Sequence, residues 1–169
     1  NPRGFYSITK YTAEMLLESY CKTFNIKYKI IRLGNVVGKT DDKVSKKKNA
    51  LQYLINELRN HKDINLYYDG DFYRDFIHVS DVAEGIKFII DNGLNQEIYN
   101  LATGKPIKFY DVIFRAKEIL SSNSNIGTME ATDFHKIVQV KSMFLDTYKV
   151  RTLGWTPSRT IEDMLQELC

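Results

Sequence analysis

Tyr6-Ser7-Ile8-Thr9-Lys10-Tyr11-Thr12-Ala13-Glu14-Met15-Leu16-Leu17-Glu18-Ser19-Tyr20-Cys21, followed by Lys27-Tyr28-Lys29-Ile30-Ile31-Arg32-Leu33 before Gly34, is the stretch that decides the fold. The first run has no Pro or Gly, few β-branched residues and many strong helix formers, so it predicts a helix. The second is a short β-prone run closed by Gly34 and Asn35, and predicts a strand. A helix leading directly into such a strand is half of a βαβ unit, which implies a parallel sheet and an α/β fold. That unit also needs a strand before its helix, and only five residues precede Tyr6; the expectation is a chain cut within a domain. Tyr6 and Lys10 stand four apart and share one helix face. A cation beside a phenol favours the phenolate, which suits proton exchange in an alcohol-to-ketone oxidation. Two residues on a solvated helix face would have the same spacing.

The 169 residues suffice for one domain with a real core. With 43% hydrophobic and 27% charged residues, the composition is that of a globular chain. Apolar runs are far shorter than a membrane span, and no charged-then-apolar leader opens the chain. Cys21 and Cys169 make no disulfide framework, which favours a reducing compartment and predicts a cytoplasmic location. A net charge of +3 suits a phosphate-bearing small ligand at least as well as nucleic acid, which usually asks for a stronger basic stripe. His61, His78 and His135 have no spacing for a metal site.

Further along, residues 35–49 read as a loop carrying the cluster Lys43, Lys46, Lys47 and Lys48, a solvated loop or an electrostatic funnel for an anion. Ala50, Leu51, Leu54, Ile55 and Leu58 predict an amphipathic helix ending near Asn60. Asn65–Tyr68 reads as a strand, Asp69-Gly70 as a turn, and Phe76–Val79 as a short extended piece. Asp81 and Glu84 stand in capping-box register for a helix that turns Val82, Ile86, Ile89 and Ile90 inward and stops, left-handed, at Asn92-Gly93. Glu97–Leu101 is a second strand of the parallel sheet. Phe109, Val112, Ile113, Ala116, Ile119 and Leu120 predict another amphipathic helix. Two short strands are expected within 127–145 and a short helix within 146–153, stopped by Gly154, with Trp155 as a core anchor. Thr160 caps a last helix whose inner face is Ile161, Met164, Leu165 and Leu168.

Several segments, in this order, resemble the extended short-chain dehydrogenase/reductases, in particular their nucleotide-sugar epimerase/dehydratase branch. They are Tyr6-Ser7-Ile8-Thr9-Lys10, Arg32-Leu33-Gly34-Asn35-Val36-Val37-Gly38, and the long Asp69-Gly70-Asp71-Phe72-Tyr73-Arg74-Asp75-Phe76-Ile77-His78-Val79-Ser80-Asp81-Val82-Ala83. Tyr99–Pro106 and Leu153-Gly154-Trp155-Thr156-Pro157 complete the set. The resemblance implies a partial Rossmann-like parallel sheet, made of that sheet's C-terminal strands, with a small α/β substrate-binding lobe. It divides the chain into the catalytic helix and strand of a dinucleotide-binding domain (1–38), the substrate lobe (39–76), a return to the dinucleotide-binding domain (77–106) and the substrate lobe again (107–169).

The resemblance also implies roles. Tyr6 is the general acid/base that exchanges a proton with a sugar hydroxyl. Lys10 tunes it and holds the nicotinamide ribose of NAD or NADP, and Gly34 lies along the nicotinamide. Asn35 bonds the substrate, Arg74 grips its diphosphate, and Asn49 and Tyr67 line the base and sugar pocket. The implied substrate is a nucleotide-diphosphate sugar, oxidised at C4 to a keto intermediate. The implied partner is a second copy, docked through the first helix. Some family features are missing: the Gly-rich cofactor loop and the catalytic Ser/Thr would precede Asn1, Tyr68 stands where Gly is usual, and Lys39 where Pro is frequent. For the second phosphate-binding Arg of many members, 133–136 offers only His135 and Lys136. A free chain of these residues is therefore expected to be inactive.

Other readings stay open at this point. Arg74 could pair with Asp75 or Asp71, and Asp75, His78 and Asp81 read as structural. A non-catalytic module binding RNA or protein, and a dehydrogenase of non-sugar alcohols, share the same fold.

Overall fold

A computed structural model describes residues 4–39, 49–133, 136 and 140–169. Helix α1 (Phe5–Thr23) leads into strand β1 (Lys29–Leu33), as the propensities require. Strand β2 (Asn35–Val37) follows after a single residue, so the loop expected at 35–49 starts with a strand. The lysines 43–48 lie outside the described residues. Next come α2 (Ala50–Arg59), β3 (Ile64–Tyr67), a 3-10 turn (Tyr68–Gly70), β4 (Tyr73–Arg74), β5 (Phe76–His78) and α3 (Val79–Asn92). The chain continues through β6 (Glu97–Leu101), β7 (Ile107–Lys108), α4 (Phe109–Ile119), β8 (Ile126–Met129), α5 (Tyr148–Thr152) and α6 (Ile161–Leu168).

Three strand pairs are parallel, β1–β6, β2–β5 and β3–β8, while β4–β7 is antiparallel. The fold is α/β with parallel strand pairs, as the opening helix and strand imply. Gly34 is the point where the extended chain changes partner. Its N–H donates to the Leu101 carbonyl at 3.0 Å, whereas the Asn35 N–H donates to the Asp75 carbonyl at 2.9 Å. A Cβ at Gly34 would lie 2.9 Å from the Ala102 Cβ and 3.2 Å from the Asp75 carbonyl oxygen, so a side chain there would wedge the two pairs apart.

Two apolar cores form. One gathers Leu51, Ile55 and Leu58 of α2, Val112, Ile113 and Ala116 of α4, and Met164, Leu165 and Leu168 of α6 over β3. The other packs Val82 and Ile89 of α3 against Tyr99 and Leu101 of β6, and Val150 and Trp155 close it. Trp155 is thus the core anchor its size suggests, next to Gly154, whose φ of +101° ends α5.

Some local expectations are corrected. Helix α3 begins at Val79, and its N-cap is His78, whose side chain accepts from the Ser80 N–H. Asp81, buried inside the first turn, is therefore no cap; it accepts from Ser158 and Arg159 instead. Ile90 is 60% exposed because it falls on the solvent side of the helix. Gly93 is extended (φ −73°, ψ 149°), not left-handed, so the chain leaves α3 straight toward β6. Of the strands expected within 127–145, the described residues hold β8 and a single bridge between Arg74 and Met143.

Glu167 ties α6 to the β2–β5 pair. Its carboxylate meets His78 Nε2 at 3.1 Å and accepts from the Lys39 N–H at 3.2 Å. The His78 hydrogen bond, more than the Lys39 amide, holds its carboxyl below the usual range. A folded-state pKa below the unfolded one adds stability above the unfolded value, lost as pH falls. Glu167→Gln should therefore be less stable than wild type near neutral pH, the difference shrinking between about pH 5 and pH 3 in urea unfolding. A difference that does not change with pH would contradict this.

Candidate functional site

The run from Tyr73 to His78 meets three other segments, and its alternation sorts their tasks. Successive side chains of an extended chain point to opposite sides. Asp75, fully buried, turns one way and accepts from the Thr103 N–H (2.9 Å), the Gly104 N–H (2.8 Å), the Leu145 N–H (3.4 Å) and the Thr103 hydroxyl. Arg74 and Phe76 turn the other way and line a cavity of about 300 Å³.

That cavity brings together Gly34, Asn35, Asn49 and Arg74, with Phe76 and Phe109 among its walls. Arg74 Nη1 donates to the Tyr73 carbonyl at 2.9 Å and the Lys141 carbonyl at 2.7 Å, and Nη2 to the Val140 carbonyl at 3.4 Å. The guanidinium sits 4.4 Å from the Phe72 ring centroid. Three of its five N–H groups are thereby engaged, which fixes its plane and leaves Nε–H and one Nη2–H without a partner among the described residues. Neither suspected carboxylate reaches it: Asp75 is spent on amides, and Asp71 pairs with Lys108 at 3.1 Å and Lys141 at 3.7 Å. Burial without a counter-charge draws the Arg74 pKa below its ordinary value. A half-buried cation with spare donors beside a cavity is suited to an anion.

The Asn35 Nδ2 donates to the Asp75 carbonyl at 3.0 Å, leaving its Oδ1 without a partner among the described residues. The Asn49 side chain is spent within the protein: its Oδ1 accepts from the Gln52 N–H at the start of α2, and its Nδ2 donates to the Val36 carbonyl at 3.4 Å. Tyr67, half-buried at the end of β3, is not among the cavity's lining residues. Neither are Tyr6 and Lys10. On α1, Tyr6 is 76% exposed and the Lys10 ammonium stands 5.8 Å from its ring centroid, so the two side chains converge as their spacing requires. His135 lies outside the described residues, and Lys136 pairs with Asp133 at 3.8 Å. Sequence reasoning missed the cavity role of Phe109, whose periodicity reports only that it faces inward. It also missed the carbonyls of 140–141 that aim Arg74, for which no sequence signal exists.

The family model described as the NAD dependent epimerase/dehydratase family matches residues 1–102, which include Tyr6, Lys10, Gly34, Asn35, Asn49, Tyr67 and Arg74. The chain belongs to this family. Among curated relatives of the epimerase/dehydratase family, a UDP-glucuronate 4-epimerase of Thermodesulfobacterium geofontis is 28% identical over 167 residues, covering 98% of this chain and 49% of that protein. Among solved structures, the dTDP-glucose 4,6-dehydratase of Bacillus anthracis in complex with NAD superposes with a TM-score of 0.85 at 23% identity, over 99% of this chain and 51% of that one. The UDP-glucose 4-epimerase of Thermotoga maritima with UDP-glucose gives 0.83 at 24% identity, over 96% and 52%. These likenesses show the Rossmann-type fold. The chain spans between about a quarter and about half of the length of the first curated relatives it matches. No described helix is long and apolar enough to cross a membrane.

Removing the Asp75 carboxylate would leave several buried donors unsatisfied, each costing about 1–3 kcal/mol. Asp75→Ala should therefore lose about 3 kcal/mol or more in urea unfolding, and Asp75→Asn a smaller amount. A loss below about 1 kcal/mol for the alanine variant would count against this role.

Proposed function

We propose that this chain is the substrate-facing part of an NAD(P)-dependent nucleotide-sugar epimerase or dehydratase that oxidises the sugar at C4. The observation that carries the reading is Arg74, a half-buried cation without a carboxylate, oriented by main-chain carbonyls and lining one cavity with Asn35 and Gly34. Guanidinium forks match phosphate oxygens, so Arg74 holds the diphosphate through its spare Nε–H and Nη2–H. Asn35 accepts from a substrate hydroxyl at its free Oδ1, and Asn49 forms part of the wall. Tyr67 is assigned to the outer part of the pocket.

Tyr6 and Lys10 fit a dinucleotide by their chemistry: a phenol and an ammonium one helical turn apart, with no ion-pair partner among the described residues. When bound, NAD(P) supplies a hydride acceptor and donor. Tyr6 takes the proton of the sugar hydroxyl and returns it. Lys10 holds the ribose beside it, and Gly34 presents main chain at the cavity edge. Proximity does much of the catalytic work, since phenol, sugar and dinucleotide must meet within hydrogen-bond reach. Phe5, Tyr11, Met15, Leu16 and Tyr20 of α1 are all exposed by about half or more. Docking of this face on a second copy would cover them, giving a homodimer of a cytoplasmic enzyme.

Tyr6→Phe in the full-length protein should lower turnover of a nucleotide sugar by about 10²- to 10⁴-fold while binding persists. Undiminished turnover would remove the assignment. Arg74→Ala should weaken binding of a nucleoside diphosphate about tenfold or more in calorimetry, with Arg74→Lys restoring only part, because an ammonium lacks the fork.

A further inference from the structure

Most of the described arginines have side-chain partners within the chain. Arg32 pairs with Glu14, Arg115 with Glu162 and Glu118, and Arg59 and Arg74 donate to main-chain carbonyls. The remaining described arginines, Arg151 and Arg159, have no side-chain hydrogen bond or ion pair among the described residues, and both line the same cleft of about 370 Å³. Lys105, also without a side-chain partner there, is a third cation on its wall, and Thr156 adds a hydroxyl. The cleft lies between the loop that follows β6 and the loop that enters α6.

Both walls are anchored from behind. Asp75 holds the backbone at Thr103 and Gly104, next to Lys105. Asp81, 1% exposed, accepts from the Ser158 N–H at 3.1 Å, the Ser158 hydroxyl at 2.7 Å and the Arg159 N–H at 3.0 Å. The neighbouring carboxylates are thus engaged: Asp75 and Asp81 face amides and hydroxyls, Glu162 pairs with Arg115, and Asp163 accepts from Thr160. Arg159 acts on Asp163 and Glu167 only as the weakest influence through space. Three like charges around one concavity repel one another unless an anion joins them, and a concave wall focuses their field.

We propose that this cleft is a second anion site, which takes a phosphorylated small molecule carrying at least two negative charges. It shares only Phe76 with the cavity lined by Arg74, so the two sites are separable by mutation. The probe is inorganic pyrophosphate, titrated into the full chain by calorimetry for wild type, Arg74→Ala and the double variant Arg151→Gln/Arg159→Gln. Binding should persist in Arg74→Ala, fall about tenfold in the double variant, and weaken as salt rises. No binding to wild type, or equal binding to wild type and the double variant, overturns the proposal. Amide shifts of the wild-type chain during the same titration provide a readout if the double variant does not fold. They should cluster at 103–105 and 156–159; shifts confined to the surroundings of Arg74, or none, also overturn it. No outcome bears on Tyr6, and the Arg74→Ala titration separates this cleft from the cavity that Arg74 lines, so the test is distinct from that of the catalytic reading.

Discussion

One buried carboxylate organises the site. Asp75 accepts hydrogen bonds from three backbone amides and a hydroxyl, while its own carbonyl accepts from the Asn35 backbone and side chain. A carboxylate taken from water without partners is costly, and here the cost is met by donors drawn from residues 103–104 and 145. Those segments are far apart in sequence, so the carboxylate selects one arrangement of the chain over competitors. Asp81 repeats the device at 158–159. The long run from Asp69 to Ala83 thus supplies the fastenings of the loops around it as well as a ligand group.

The neighbour relation between Asp75 and Arg74 follows from strand geometry. Because alternate residues face opposite ways, the chain can bury an anion on one side and present a cation on the other. The cation is then oriented by carbonyls rather than neutralised by a carboxylate, and keeps its charge for a ligand. Had Asp71 paired with Arg74 instead of with Lys108 and Lys141, the cavity would have carried no net positive group at that position.

Helix α1 stands apart from this arrangement. Among its residues Cys21 is buried, whereas Phe5, Tyr6, Leu16 and Tyr20 are all more than half exposed. Its side-chain link to the sheet is the Glu14–Arg32 pair at 2.5 Å. An exposed ion pair contributes little by itself, so the position of α1 within the chain rests on its covalent continuity with β1 and on the burial of Cys21.

Much of the fold was legible in the residues: the opening helix and strand, the amphipathic helices 50–59, 109–119 and 161–168, and the Trp155 anchor follow from periodicity, which packing enforces locally. The errors fell where two local rules compete. Asp81 has the spacing of a cap, but a buried loop demanded its carboxylate, and His78 took the cap. Gly93 has the composition of a left-handed stop, yet the direct path to β6 needs an extended residue. By itself the sequence determined the main helices and the strands 29–33 and 97–101, the pairing of Tyr6 with Lys10 on one helical turn, and the candidate residues, because these depend on spacing of a few residues. The tertiary structure alone decided that Gly34, Asn35, Asn49 and Arg74 share a cavity, that Tyr67 does not line it, and that Arg151 and Arg159 lack partners. Those facts depend on which distant segments the buried carboxylates draw together, and no local pattern encodes them.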